Sequence, residues 1–149
     1  MRKTILVISV FIMTGFFLSV AKANTSETEI PQPANCKYMI KVIDVTANKS
    51  GSEEVGPETT VKNNLSLAQA KAAIATATGT PISSAQNTFS DGKKTSFSIY
   101  TSSKGIASTT RNQTEYKVTT RKLGYNVVSY TLTTDPNTYS VAIIRLKKK

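Results

Sequence analysis

The chain has 149 residues, and its 19 Lys or Arg against nine Asp or Glu give a formal net charge of +10 at neutral pH. It has no His and a single Cys, which excludes zinc sites built from His and Cys and excludes nucleophiles activated by His. Hydrophobic residues make up 39% of the chain, so the composition predicts one globular domain with a modest core rather than a disordered chain.

The first 23 residues have the three parts of a cleavable export signal. Two basic residues precede an apolar stretch over residues 4–20, and Ala21-Lys22-Ala23 then provides the small residues that signal peptidase reads. We expect residues 1–23 to be removed, so that the exported protein begins at Asn24 in the periplasm or outside the cell. A retained anchor is the alternative, because about 17 apolar residues is at the short end of what spans a bilayer.

The predicted domain spans residues 36–149 and follows an extended N-terminal arm over residues 24–35, which contains two prolines. Residues 36–45 are apolar and β-branched on both faces, which predicts a strand near the centre of a sheet. Residues 47–63 are rich in Asn, Ser, Gly, Glu and Thr, and they predict a long exposed loop.

Cys36 stands at the start of the first predicted strand, in a chain expected to enter an oxidising compartment. With only one Cys, no internal disulfide can form. Two interpretations stay open: a buried structural thiol, which the apolar strand favours, and a thiol that forms an intermolecular disulfide.

A helix is predicted to begin after Ser66. The segment Ser66-Leu67-Ala68-Gln69 matches a capping box, in which the Ser and Gln side chains each satisfy a free backbone N–H. Helix-forming residues continue to Thr78, Gly79 suits the left-handed end of a helix, and Pro81 blocks continuation. The narrow apolar stripe, expected to pack on a sheet, consists of Leu67, Ala70, Ile74 and Ala77.

The remaining sequence predicts strands joined by short turns. Asp91-Gly92 is a hairpin signal, residues 134–137 form a turn with Pro, and strands are expected over residues 95–101, 115–121, 125–133 and 139–146. Apolar and polar residues alternate in the later strands, so one face of the sheet is expected to be exposed to solvent. Together these patterns predict an α+β fold: one strand, one helix, then about four antiparallel strands forming a sheet with the helix packed on one face.

The positive charge is concentrated in the second half of the chain. Residues 93–149 contain eleven Lys or Arg against Glu115 and Asp135. A cationic half attracts anionic partners, although lysines also keep a surface soluble and a terminal strand unpaired. The residues predicted to bind a partner lie on the wet sheet face and in the C-terminal tail: Lys117, Arg121, Arg145, Lys147 and Lys148.

The preferred function is a non-enzymatic exported binding module that engages an acidic protein, an anionic polysaccharide or an envelope surface through the cationic face and tail. The first alternative is a structural or accessory subunit of a cell-envelope, secretion or adhesion assembly that uses strand addition at an open sheet edge. Export and the lack of an RNP-like motif argue against nucleic acid.

An enzyme acting on polysaccharide through paired carboxylates ranks third. The chain has neither a phosphate-binding loop nor a dinucleotide fingerprint, and no catalytic, cofactor-binding or metal-binding residue is assigned. The carboxylates available to such an enzyme are Asp44, Glu53, Glu54, Glu58, Asp91, Glu115 and Asp135.

Overall fold

Two β-sheets and one short helix make up the part of the chain that the structure, a computed structural model, describes: residues 35–46 and 58–149. These residues all belong to one compact unit, residues 33–149. The predicted signal peptide, the arm before Asn35 and residues 47–57 of the predicted loop lie outside the described residues.

The strands and the helix follow one another along the chain in this order: β1 Cys36–Asp44, β2 Thr59–Leu65, α1 Leu67–Ala75, β3 Thr80–Pro81, β4 Gln86–Ser90, β5 Ser96–Tyr100, β6 Ile106–Arg111, β7 Glu115–Arg121, β8 Val128–Thr133 and β9 Tyr139–Leu146. Sheet A has the order β2-β9-β1. On the side of β1 opposite β9, β1 pairs with β6 along one part of its length and with the short β3 along another. Sheet B has the order β5-β4-β7-β8 and is antiparallel throughout.

The predicted α+β fold with a single sheet is wrong, because the described residues form a mostly β structure of two sheets. The last strand does not continue the meander. Instead β9 pairs in parallel with β1, in a register that places Met39 opposite Val141. Residues 59–65, expected to be loop, form β2 on the other side of β9, and β6 was not predicted at all. The two-residue β3 and the strand β4 were not among the predicted strands either, although the hairpin signal at Asp91-Gly92 implies a strand before it. β2 and β6 are polar edge strands, which carry little hydrophobic periodicity.

The main core lies between the two sheets. Alternate side chains of β1, including Tyr38 and Ile40, meet Phe89 and Val118 of sheet B, and all four are fully buried. The rings of Phe89 and Phe97 stack with their centroids 4.9 Å apart. Tyr116 meets both rings edge to face, and Tyr38 meets Phe89 and Tyr116 in the same way. Such pairs add stabilisation beyond the buried area.

Helix α1 packs on the other face of sheet A, rather than on the four-stranded sheet as predicted. Its capping box is confirmed: the Gln69 backbone N–H donates to Ser66 Oγ at 3.2 Å, and the Ser66 N–H donates to Gln69 Oε1 at 2.9 Å. Ala70 and Ala73 are buried against Ile43 and neighbouring residues of β9. Since β1 is covered on both faces and paired on both edges, its predicted central position is confirmed.

The helix departs from its prediction in two details. It ends at Ala75 rather than Thr78. Its buried side also differs from the predicted stripe: Ala73, which was not in that stripe, is buried, whereas Leu67, which was, is 46% exposed. No helix among the described residues has the length and hydrophobicity needed to cross a membrane.

Candidate functional site

The outer face of sheet B is polar and exposed to solvent, as the alternation of residues predicted. Its strands alternate between buried and outward side chains, as in β8, where Val128, Tyr130 and Leu132 are buried. We call this surface the hydroxyl face, which consists of the outward side chains Gln86, Thr88, Ser90, Ser96, Ser98, Tyr100, Lys117, Thr119, Arg121, Ser129 and Thr131.

Cross-strand pairs place hydroxyl groups side by side on this face. Thr88 Oγ1 and Ser98 Oγ lie 2.9 Å apart, and Thr119 Oγ1 and Ser129 Oγ lie 3.0 Å apart. Because the four strands are adjacent and in register, these two pairs continue one row across the whole sheet. The row offers both donors and acceptors to a ligand.

Lys117 and Arg121 stand on either side of that row, both on β7 and both exposed. Lys117 is opposite Ser90 and Thr131, while Arg121 is opposite Gln86. Lys117 and Arg121 are four positions apart on the strand, which corresponds to about 13 Å between their backbone positions. Glu115, at the start of β7, is the one carboxylate among the outward side chains of the four described strands. The structure therefore brings these two predicted residues onto one surface.

Arg145 lies elsewhere, in sheet A and on the side of that sheet facing away from sheet B. Its guanidinium donates from Nη1 to Thr60 Oγ1 at 2.9 Å, and its backbone N–H donates to the Glu58 carbonyl at 2.8 Å. Arg145 thus takes part in the pairing of β2 with β9, and it does not share the hydroxyl face with Lys117 and Arg121.

Lys147 and Lys148 lie beyond the end of β9, where the tail is held by the β7–β8 connection. Tyr125 pairs with Lys148 as an isolated β-bridge, and the Asn126 N–H donates to the Lys147 carbonyl at 3.2 Å. Lys148 Nζ is 3.8 Å from Asp44 Oδ2, the one ion pair recorded among the described residues. The predicted partner-binding residues therefore fall in three separate places.

Asp44, at the end of β1, contacts both the C-terminal tail and the β7–β8 connection. Its carboxylate accepts the Thr46 N–H at 2.7 Å and the Tyr125 hydroxyl at 2.8 Å. Desolvation acts to raise the pKa of Asp44, but these hydrogen bonds, together with Lys148, hold that pKa below its ordinary value. Asp44 is therefore charged at neutral pH and already engaged with its own neighbours.

The same end contains residues that the sequence reasoning missed. Leu123, in the turn after β7, is 97% exposed, and Lys122 precedes it. The Lys149 N–H donates to the Gly124 carbonyl at 3.0 Å, which keeps the tail beside this turn. We call this group the basic tip: Lys122, Leu123, Lys147, Lys148 and Lys149. The segment Lys122-Leu123-Gly124 could have indicated a turn from the sequence. The residues around it gave no indication that the C-terminal tail pairs with this turn.

A separate open groove of about 490 Å³ lies on sheet A where β1, β6 and the start of α1 meet. Lys37 Nζ lies 5.0 Å from the centre of the Tyr139 ring, a cation–π contact on its wall. Met39 and the half-exposed Leu67 add apolar surface, and Ser108–Thr110 of the edge strand β6 complete the wall.

Among the described residues, the carboxylates expected for the enzyme alternative are divided between two ends of the folded unit. Asp44 lies at the end of the molecule where β1 and β9 finish, while Asp91 and Glu115 lie at the opposite end of sheet B. Glu53 and Glu54 are outside the described residues. No group of three His, Cys, Asp or Glu side chains in the described ranges is placed to hold a metal ion.

Cys36 is fully buried in the core between the sheets, and its thiol donates to the Thr134 carbonyl with a sulfur–oxygen distance of 3.8 Å. Burial and the negative charge of Asp135 raise the pKa of the thiol, and the hydrogen bond with Tyr38 only partly opposes them. Burial therefore favours the structural interpretation over an intermolecular disulfide.

We expect Cys36 to react with a thiol reagent only when the protein opens. In the variant Ser129→Cys the new thiol lies on the exposed hydroxyl face, so it serves as a fast-reacting control. Cys36 in the unchanged protein should react more slowly than the new thiol of this variant by roughly a thousandfold or more, because exposing Cys36 requires an opening whose free energy is similar to that of global unfolding. Equal labelling rates under native conditions, followed by mass spectrometry, would contradict the burial of Cys36.

Comparison with known proteins finds no matching family model, no matching curated protein and no matching solved structure. The function is therefore inferred from the residues of this chain alone.

Proposed function

We propose that the chain is exported and that its folded unit is a non-enzymatic binding module for an acidic protein or an anionic polysaccharide, which it contacts through the hydroxyl face. The observation that supports this proposal is the pair of exposed cations, Lys117 and Arg121, set among Ser and Thr side chains on the outer face of sheet B. Glu115 at the edge leaves the charge of that surface positive.

The shape and chemistry of the face suit an extended anionic polymer. Two cations whose backbone positions are about 13 Å apart attract repeated negative charges, and the hydroxyl row between them supplies neutral hydrogen bonds. The groove on sheet A is lined by other residues, and no carboxylate lies among the residues of the hydroxyl face, so a binding role agrees better with this surface than carboxylate catalysis does. Contacts of this kind are solvent-exposed, and salt therefore weakens them.

Charge reversal on the face tests this proposal. The double variant Lys117→Glu and Arg121→Glu replaces two attractions by two repulsions, so at low salt we expect capture of the partner to fall roughly tenfold or more. The measurement is a pull-down from envelope and extracellular fractions at low and high salt, using the exported protein. N-terminal sequencing of that protein reports whether cleavage occurs after Ala23.

The matched control is Lys62→Glu with Lys71→Glu, which makes the same change of net charge on exposed residues of β2 and α1. This control should bind as the unchanged protein does, and circular dichroism should show both variants folded. Equal capture by the two double variants would contradict the assignment of the hydroxyl face.

The second candidate is an assembly subunit that accepts a strand from another protein. The observation that favours it is β6, which pairs with β1 and with no other strand of the described residues, and which borders the groove at Lys37 and Leu67. Strand addition combines backbone hydrogen bonds with side-chain pockets. A partner retained at high salt, and lost when Ser108→Pro removes an N–H from the open edge of β6, would favour this candidate over the first.

A further inference from the structure

The basic tip combines an apolar side chain with surrounding lysines at one end of the molecule. Leu123 has the greatest exposure of any large hydrophobic residue in the described ranges, at 97%. A single exposed leucine needs no explanation by itself. What distinguishes Leu123 is its position, in a turn of the chain that lies against the lysine-rich tail.

Backbone contacts fix the lysines beside Leu123. The Lys149 N–H donates to the Gly124 carbonyl, directly after the leucine, and Lys148 forms a bridge with Tyr125. The tail therefore follows the β7–β8 connection instead of extending freely from β9. Because three consecutive tail residues are basic, their charges are held around the turn.

In the part of the chain that the structure describes, the one lysine of the tip that forms an ion pair is Lys148, whose partner is Asp44. Asp44 also accepts the Thr46 N–H and the Tyr125 hydroxyl. Within the described residues, neither Lys147 nor Lys149 has a carboxylate within ion-pair distance. The Lys122 ammonium donates to the Ser83 carbonyl at 2.8 Å.

The geometry points to the basic tip as a docking site for a bilayer surface that contains anionic phospholipids. The lysines would contact headgroup phosphates while Leu123 enters the boundary of the acyl chains, as apolar residues of interfacial segments do. A polysaccharide gives no apolar phase to a leucine, and a protein partner would need a pocket shaped for it. A bilayer accepts the leucine without such a pocket.

The expected affinity is modest and reversible. Each lysine near an anionic surface is worth roughly fivefold in partitioning, and burying the leucine side chain adds roughly tenfold. This site goes beyond the hydroxyl face and does not depend on it, so the two surfaces can be tested separately.

The chain has no Trp, so a single tryptophan reports on one position without background. In Leu123→Trp we expect the emission to shift to shorter wavelength on adding vesicles of phosphatidylcholine mixed with phosphatidylglycerol, and not with phosphatidylcholine alone. Thr133→Trp serves as the control, because Thr133 is exposed at the opposite end of sheet B. An equal shift at both positions, or no shift at Leu123→Trp, would overturn the proposal.

Two charge variants complete the test by vesicle sedimentation. Lys147→Gln with Lys149→Gln should reduce binding roughly twentyfold or more, whereas Lys93→Gln with Lys94→Gln, at the opposite end, should leave binding unchanged although it removes the same charge. Equal loss in both variants would mean that net charge alone drives binding and would overturn the site. The single variant Lys117→Glu, which alters the hydroxyl face and leaves Arg121 beside the tip unchanged, should keep the spectral shift of Leu123→Trp, so that failure of one proposal can be told from failure of the other.

Discussion

Replacing Phe89 with alanine is expected to lower the free energy of unfolding by about 3–5 kcal/mol. The Phe89 ring is fully buried between the sheets, stacks on Phe97 and meets Tyr38 and Tyr116 edge to face. Its removal leaves a cavity that the two sheets cannot close, because strand pairing fixes the backbone on both sides. Since natural domains have only about 5–15 kcal/mol of stability, this loss is a large share of the total.

Unfolding in urea, followed by circular dichroism, measures this effect as a lower midpoint with an unchanged slope. The control is Tyr100→Ala on the neighbouring strand β5, where the ring is 62% exposed, and we expect a change within about 0.5 kcal/mol. A cost for Phe89→Ala as small as that of Tyr100→Ala would mean that sheets A and B do not enclose this ring.

The substitution Gly105→Ala is expected to cost about 2–4 kcal/mol, because it combines backbone strain with overpacking. Gly105 has a φ of +69° at the point where the chain crosses from sheet B to sheet A and begins β6. An added Cβ would lie 2.5 Å from the Val42 carbonyl oxygen. That oxygen cannot readily move away, because it accepts the Ile82 N–H at 3.0 Å while the Val42 N–H donates to the Gly105 carbonyl.

Gly92→Ala provides the matched control. Gly92 has a similar φ of +75°, but an added Cβ meets no atom within 4 Å, so the expected cost is the conformational share alone, about 1–2 kcal/mol. Thermal unfolding of the two variants in one buffer compares them directly. Equal melting temperatures would contradict the close approach of the 101–105 crossing to β1.

The candidate site was only partly predictable. Lys117 and Arg121 were placed on one exposed face from the alternation of residues 115–121, and the structure confirms that placement. Arg145 was grouped with them because it is basic, although its pairing with Thr60 directs it to another surface. Leu123 was missed because the exposure of a turn residue depends on what packs beside it, and that information is not local.

The sequence by itself determined the local elements: the capping box at Ser66, the hairpin at Asp91-Gly92, and the buried faces of β5, β7 and β8 in sheet B. These follow from hydrogen bonds and periodicity within a few residues. Only the tertiary structure decided which strands pair and therefore how many sheets form. Residues 36–44 and 139–146 are apolar on both faces, but their parallel pairing joins the two ends of the folded unit, and period-two alternation shows that a face is buried without showing what covers it.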